Sequence, residues 1–174
     1  MTDAADLPQT LAALDSQERL LRYPERFGAY EALELGRAIA SLAEDYDRGI
    51  GVCIYRESDG LILFQWMMDD KAARNLTFIE GKRLAALACG HCSLWAYADN
   101  EASGAGGELF DPASGACPAG GAFPVRLEAG EWVATISLSG LHEGKDHELV
   151  VRALCRVLGK QYGVDVPVYP GVAR

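Results

Sequence analysis

Two stretches of this chain carry hairpin signals, and each leads into a helical stretch; few folds accommodate that order. Ile50 to Tyr55 and Leu61 to Met67 are mostly apolar and rich in β-branched and aromatic residues. Between them Glu57-Ser58-Asp59-Gly60 is a turn sequence, so the two segments pair as antiparallel strands. Their near-continuous hydrophobicity predicts a sheet covered on both faces. Phe123 to Glu128 and Glu131 to Ser139 form a second hairpin around Ala129-Gly130. In the last of these strands Trp132, Ala134, Ile136 and Leu138 alternate with Val133, Thr135, Ser137 and Ser139. The second set is smaller and more polar, which makes its face a candidate border for a site or a subunit contact.

The helices are read from periods of three and four. Leu7 to Arg22 has Leu11, Leu14 and Leu21 on one side. Glu31 to Asp47 repeats Leu35, Ile39, Leu42 and Tyr46, with Gly49 expected as a left-handed cap. Asp69 to Ala98 reads as one long helical segment with Leu84, Leu87, His91, Leu94 and Ala98 in a stripe. Asp146 to Tyr162 closes the domain with Val150, Val151, Leu154, Val157 and Leu158 inward. From Asp99 to Gly121 the chain is rich in Gly, Ala, Ser and Pro, too long for a passive connector and therefore mobile or functional. The order predicts an α+β fold, an antiparallel sheet of four or five strands sandwiched by helices. Residues 1–30 read as a helical extension, 31–162 as the domain, and 163–174, with Pro167 and Pro170, as an arm.

The chain has 174 residues, of which 49% are hydrophobic, enough for one domain with a core that needs neither disulfides nor metal. The net charge of −9 argues against nucleic acid or an anionic membrane as main partner. No apolar run approaches the length of a membrane span, and the first residues are acidic where a secretory signal is basic. Five cysteines at irregular spacing fit a reduced cytoplasmic chain better than a disulfide framework.

Several residue groups are candidates for chemistry. Cys89-Gly90-His91-Cys92 contains a C-x-x-C pair, but the pair sits inside a helical pattern with no second ligand pair at a zinc spacing, which favours core cysteines over redox work. His91, read as core-facing between Leu87 and Leu94, is either hydrogen-bonded to a strand or a neighbouring subunit, or is a ligand for iron or a proton-transfer group. His147 opens the last helix, whose N-terminal dipole disfavours the protonated ring; it is a neutral acceptor or metal ligand, or a residue that bonds to the loop. His142 lies in the preceding loop, and all three histidines converge only if the last helix packs beside the middle one. Gly120 and Gly121 before Phe123-Pro124 let the backbone approach a ligand or another chain, or make a tight strand entry. Lys82 is a solvated charge or, facing a contact, holds an anion or carboxylate.

These pieces together resemble the haem-degrading-domain superfamily, the GlcG/HbpS-like proteins, in a branch of small cytosolic proteins. The resemblance spans about Ala32 to Gly159. It rests on Leu35-Gly36, on Lys82 with Gly90-His91-Cys92-Ser93, on Gly120-Gly121-Ala122-Phe123-Pro124-Val125, and on Ser139-Gly140-Leu141 with Asp146-His147 and Leu149-Val150-Val151. Relatives commonly have Gly-His-Ser-Ser where this chain has Cys92, and Ser-Gly-Leu-Pro where it has His142. The resemblance implies a profilin-like sheet of about five antiparallel strands and assembly into homo-oligomers. It also implies a small-molecule ligand, with haem the named cofactor candidate, near Lys82, His91, Gly120, Gly121, Phe123, Ser139, Asp146 and His147, with His91 and His147 as metal-ligand candidates. The alternative is a non-catalytic interaction or scaffold protein with structural histidines. An enzyme using the histidines as acid and base ranks behind both, because no complete catalytic set is visible.

Overall fold

The computed structural model describes residues 7–105, 108–142 and 144–170. The elements run α1 (Leu7–Leu20), β1 (Arg22–Tyr23), α2 (Ala29–Ala43), β2 (Gly51–Arg56), β3 (Ile62–Met67), α3 (Arg74–Cys89), α4 (Ser93–Ser103), β4 (Ala122–Leu127), β5 (Trp132–Ser139) and α5 (Lys145–Val157). Both hairpins form, and they join through the antiparallel pair β2–β5 to give the order β1-β4-β5-β2-β3. The sheet is mixed. Its fifth strand is the two-residue β1, paired parallel to β4 through Arg22–Arg126 and Tyr23–Leu127. That strand comes from the stretch read as an extension, and no sequence rule flags a strand of two residues.

Alternation along the strands assigns the two faces. Val52, Ile54, Phe123, Val125, Ala134, Ile136 and Leu138 point into the main core with Leu35 and Ile39 of α2 and Leu149, Val150 and Leu154 of α5. Cys53 and Tyr55 of β2 point the other way and pack with Ile79 of α3 and Met67. The polar face of β5 is thus covered by α3, and the Ser137 hydroxyl donates to the Ile79 carbonyl at 2.6 Å. Gly36 lets α2 lie directly on the Phe64 ring, which a Cβ would strike.

The long middle helix is two helices. Gly90 takes φ +78° and caps α3, its N–H bonded to the Ala86 carbonyl, and Cys92 is extended at the start of α4. A break of three residues keeps the apolar period nearly in phase, so periodicity alone reads through it. His91 therefore lies in the break and not on a buried helical stripe, and Leu87 is exposed. The expected cap at Gly49 is also absent: α2 stops at Ala43, and Gly49 packs instead against Asp70. The described part of the glycine-rich stretch is docked on α3, with Phe110 5.0 Å from Phe78 and Cys117 N–H bonded to the Gly81 carbonyl. Among the described residues, no helix is long and apolar enough to cross a membrane.

Candidate functional site

Lys82, Gly121 and Asp146 meet in one buried polar knot where α3, the entry to β4 and the start of α5 converge. Lys82 is 4% exposed and Asp146 5% exposed. The Lys82 ammonium donates to Asp146 Oδ2 at 2.6 Å and to the Leu138 carbonyl at 2.9 Å. Asp146 Oδ1 accepts from the Leu141 N–H at 2.9 Å. Burial pushes the Asp146 carboxyl up, against the pull of Lys82 and of that N–H. Gly121 is required by the same knot: at φ +134° it lies so close that a Cβ would run into the Leu138 carbonyl and come within 3.0 Å of Lys82 Nζ. Of the readings open for Lys82, solvated charge is excluded; it holds a carboxylate, supplied by this chain itself.

His147 lies next to this knot, with Gly120 stacked so tightly on it that a Cβ would come within 3.3 Å of the His147 Cβ. The ring is 1% exposed and lies 5.8 Å from the Phe123 ring and 6.2 Å from that of Tyr169. Gln17 of α1 closes the cage: its side-chain N–H donates to the Pro167 carbonyl at 2.8 Å, so its Oε1 faces His147 Nε2 at 2.7 Å and accepts from it. That leaves the proton on Nε2 and Nδ1 as a bare, buried nitrogen with no partner among the described residues. Burial depresses its pKa to about 3, so the ring is neutral, as the helix-dipole argument expects, but through desolvation.

His91 is not part of this group. Its ring stacks on Trp95 at 4.3 Å and 15°, with the side chain about a third exposed (36%). Nδ1 faces Glu18 Oε2 at 3.3 Å, with Asp15 at 3.7 Å. Glu18 is itself buried, and its other oxygen accepts the Cys92 N–H at 2.6 Å at the start of α4. Burial raises the Glu18 carboxyl, against the pull of Cys92 and His91. Consecutive residues of α1, Gln17 and Glu18, thus hold the two histidines separately. His142 is exposed and makes no part of either arrangement, so the three histidines do not converge. Among the described residues, no group of three His, Cys, Asp or Glu side chains is placed to hold a metal.

The remaining candidates divide in the same way. Phe123 is fully buried beside His147, and Ser139 is buried at the end of β5 opposite Gly51. Ser93 ties the glycine loop down, its hydroxyl donating to the Ala119 carbonyl at 2.5 Å and accepting the Ala122 N–H at 2.9 Å. Gln17, Glu18, Trp95 and Tyr169 were not singled out from sequence. Glu18 carried a signal: it occupies the apolar stripe of α1 between Leu14 and Leu21, where a carboxylate needs a partner.

The cysteines are core residues. Cys92 is fully buried, and desolvation raises both its thiol and that of Cys89, whose Sγ contacts the Ala86, His91 and Cys92 carbonyls. In an aromatic-disulfide titration of folded protein, Cys92 is expected to stay silent and half-buried Cys89 to react slowly, with all five thiols released by guanidinium. Rapid paired loss of two thiols would contradict this.

A five-stranded mixed sheet packed with helices, with a buried Lys–Asp knot where α3, the entry to β4 and the start of α5 meet, defines the α+β domain. The chain belongs to the HbpS-like family: the family model for haem degrading protein HbpS-like matches residues 27–155. It is 33% identical over 162 residues to a UPF0303 protein of Paraburkholderia phytofirmans, covering 90% of this chain and 94% of that protein. Among solved structures it is similar to the Ybr137w protein, with a TM-score of 0.74 at 23% identity over 86% of this chain and 87% of that one. HbpS aligns with a TM-score of 0.55 at 22% identity over 77% and 91%. The PduOC:heme complex aligns with a TM-score of 0.54 at 18% identity over 72% and 91%. These likenesses establish the shared fold.

Proposed function

We propose that the protein is a cytoplasmic, homo-oligomeric ligand-binding protein that takes haem, with His91 as the iron ligand. The observation that carries this reading is the carboxylate hold on His91. Glu18 takes the proton side of Nδ1, which leaves Nε2 as the donor on a ring that is about a third exposed and backed by Trp95. A metal-binding imidazole is oriented in this way by an acceptor on its second nitrogen. The residues at His91 fit such a group. Those at His147 do not, because Gln17 occupies Nε2 and the ring is sealed. The family description and the haem complex of one structural neighbour support the choice of haem. In this reading residues 31–162 carry the ligand, and the extension supplies Glu18. The net charge of −9 weighs against nucleic acid and anionic membrane.

Titration of the protein with haemin tests it. A saturable shift of the Soret band is expected, lost in His91→Ala and weakened about tenfold or more in Glu18→Gln. No spectral change, or an unaltered one in His91→Ala, overturns it.

The second reading, a non-catalytic scaffold, is favoured by the closure of the other candidates: Lys82 and Asp146 satisfy each other, and His147 is enclosed. It expects no haemin response and a change of assembly in His147→Ala, read by light scattering after size exclusion.

A further inference from the structure

The sheet ends differently at its two edges. At one lies β1, two residues long and followed by Pro24, too short to template another strand. At the other lies β3, six residues long. None of its residues is buried, whereas five of the six in β2 are. From Leu61 to Met68 the chain reads Leu-Ile-Leu-Phe-Gln-Trp-Met-Met, with neither a charge nor a proline. Charges and prolines are what blunt the edge strands of proteins that stand alone, and an apolar edge without them invites pairing. Leu61 is 50% exposed and Ile62 44%, and Leu33, one turn before Gly36 on α2, is exposed as well.

The backbone sets what can pair there. Met68 N–H donates to the Ile50 carbonyl at 3.0 Å. Bonding toward one neighbour alternates along an antiparallel strand, so Trp66 and Phe64 also face β2, while Gln65 and Met67 turn their N–H and C=O outward. The register shift between Ile54 and Tyr55 lies beyond this stretch. Two outward residues spaced by two are self-complementary. A second copy, antiparallel about a two-fold axis at Trp66, sets Gln65 opposite the partner's Met67 and Met67 opposite the partner's Gln65. Every open donor of the pair then meets an open acceptor, and the two Trp66 side chains become a close cross-strand aromatic pair. Charge favours the same occupant. Each copy carries −9, so two copies repel wherever acidic surfaces meet, and the uncharged run lets them join with no charged side chain in the ladder.

We propose that β3 joins two copies of this chain edge to edge, making one sheet continuous through both. The interface is isologous, because the same strand serves on each side of the axis. This contact rests on the homo-oligomeric part of the reading above and involves neither His91 nor haem.

Light scattering after size exclusion, at one protein concentration, reads the mass. The wild type is expected at an even multiple of the chain mass. Gln65→Pro removes an outward N–H and no bond to β2, so the fold is kept and the mass is expected to fall to half or less. Gln65→Lys, at an exposed side chain, puts a charge on the edge and is expected to lower the mass in the same way. It keeps the test open should the proline variant fail to fold, with far-UV circular dichroism as the check. An odd multiple of the chain mass, or a mass unchanged in either folded variant, overturns this contact and leaves a homo-oligomer joined elsewhere. A wild type at the mass of one chain overturns the homo-oligomeric reading as well.

Discussion

Asp146→Ala should destabilise the protein by about 3–5 kcal/mol, the cost of leaving one partner of a buried ion pair uncompensated. The pair is nearly inaccessible from both sides, and the carboxylate also holds the Leu141 N–H. Removing it strands an ammonium whose remaining partner is the Leu138 carbonyl. The double variant Lys82→Met with Asp146→Asn removes both charges and keeps an acceptor for Leu141. It should therefore recover most of the loss, since apolar or neutral replacements of a buried pair are often close to neutral. Guanidinium denaturation at one fixed protein concentration reads both. A double variant as unstable as the single one would mean that the knot contributes through packing and not through charge.

Acid should weaken the fold through His147. Its folded pKa, about 3, lies below the usual 6.5, so between these values the unfolded chain binds a proton that the folded chain refuses. Stability is then full above pH 6.5 and falls as the pH drops, by about 2–3 kcal/mol at pH 4.5 and about 4–5 kcal/mol once the pH is below both values. Glu18 and Asp146 have the opposite sign, because raised carboxyl pKa values favour the folded state in acid and offset part of the loss. His147→Asn should flatten the dependence between pH 6.5 and 4.5. The comparison is of slopes within each protein, so a constant change in stability drops out. Equal slopes would show that the ring is protonated in the folded state.

Both hairpins, the helices α1, α2 and α5, and the α+β class were legible because strand alternation and helical stripes are local signals. What was not legible is long-range or small. The break at Gly90 hides within a stripe that stays nearly in phase across it, and only the glycine itself hinted at it. The parallel strand Arg22–Tyr23 is too short to have a period. The site was legible in part. Lys82, Gly121 and Asp146 do meet, with Gly120 and Phe123 at His147, but His91 stands apart. Its place depends on a carboxylate 73 residues earlier in the chain, and sequence spacing carries no information about such a contact.

The grip of α1 has a consequence for access. Gln17 and the carbonyl of Pro167 bolt the two ends of the described chain together over His147, and the family match begins only at residue 27. Whatever approaches that bare nitrogen past Gln17 must first unlatch a helix that also steadies His91, so a visitor to His147 loosens the seat of His91.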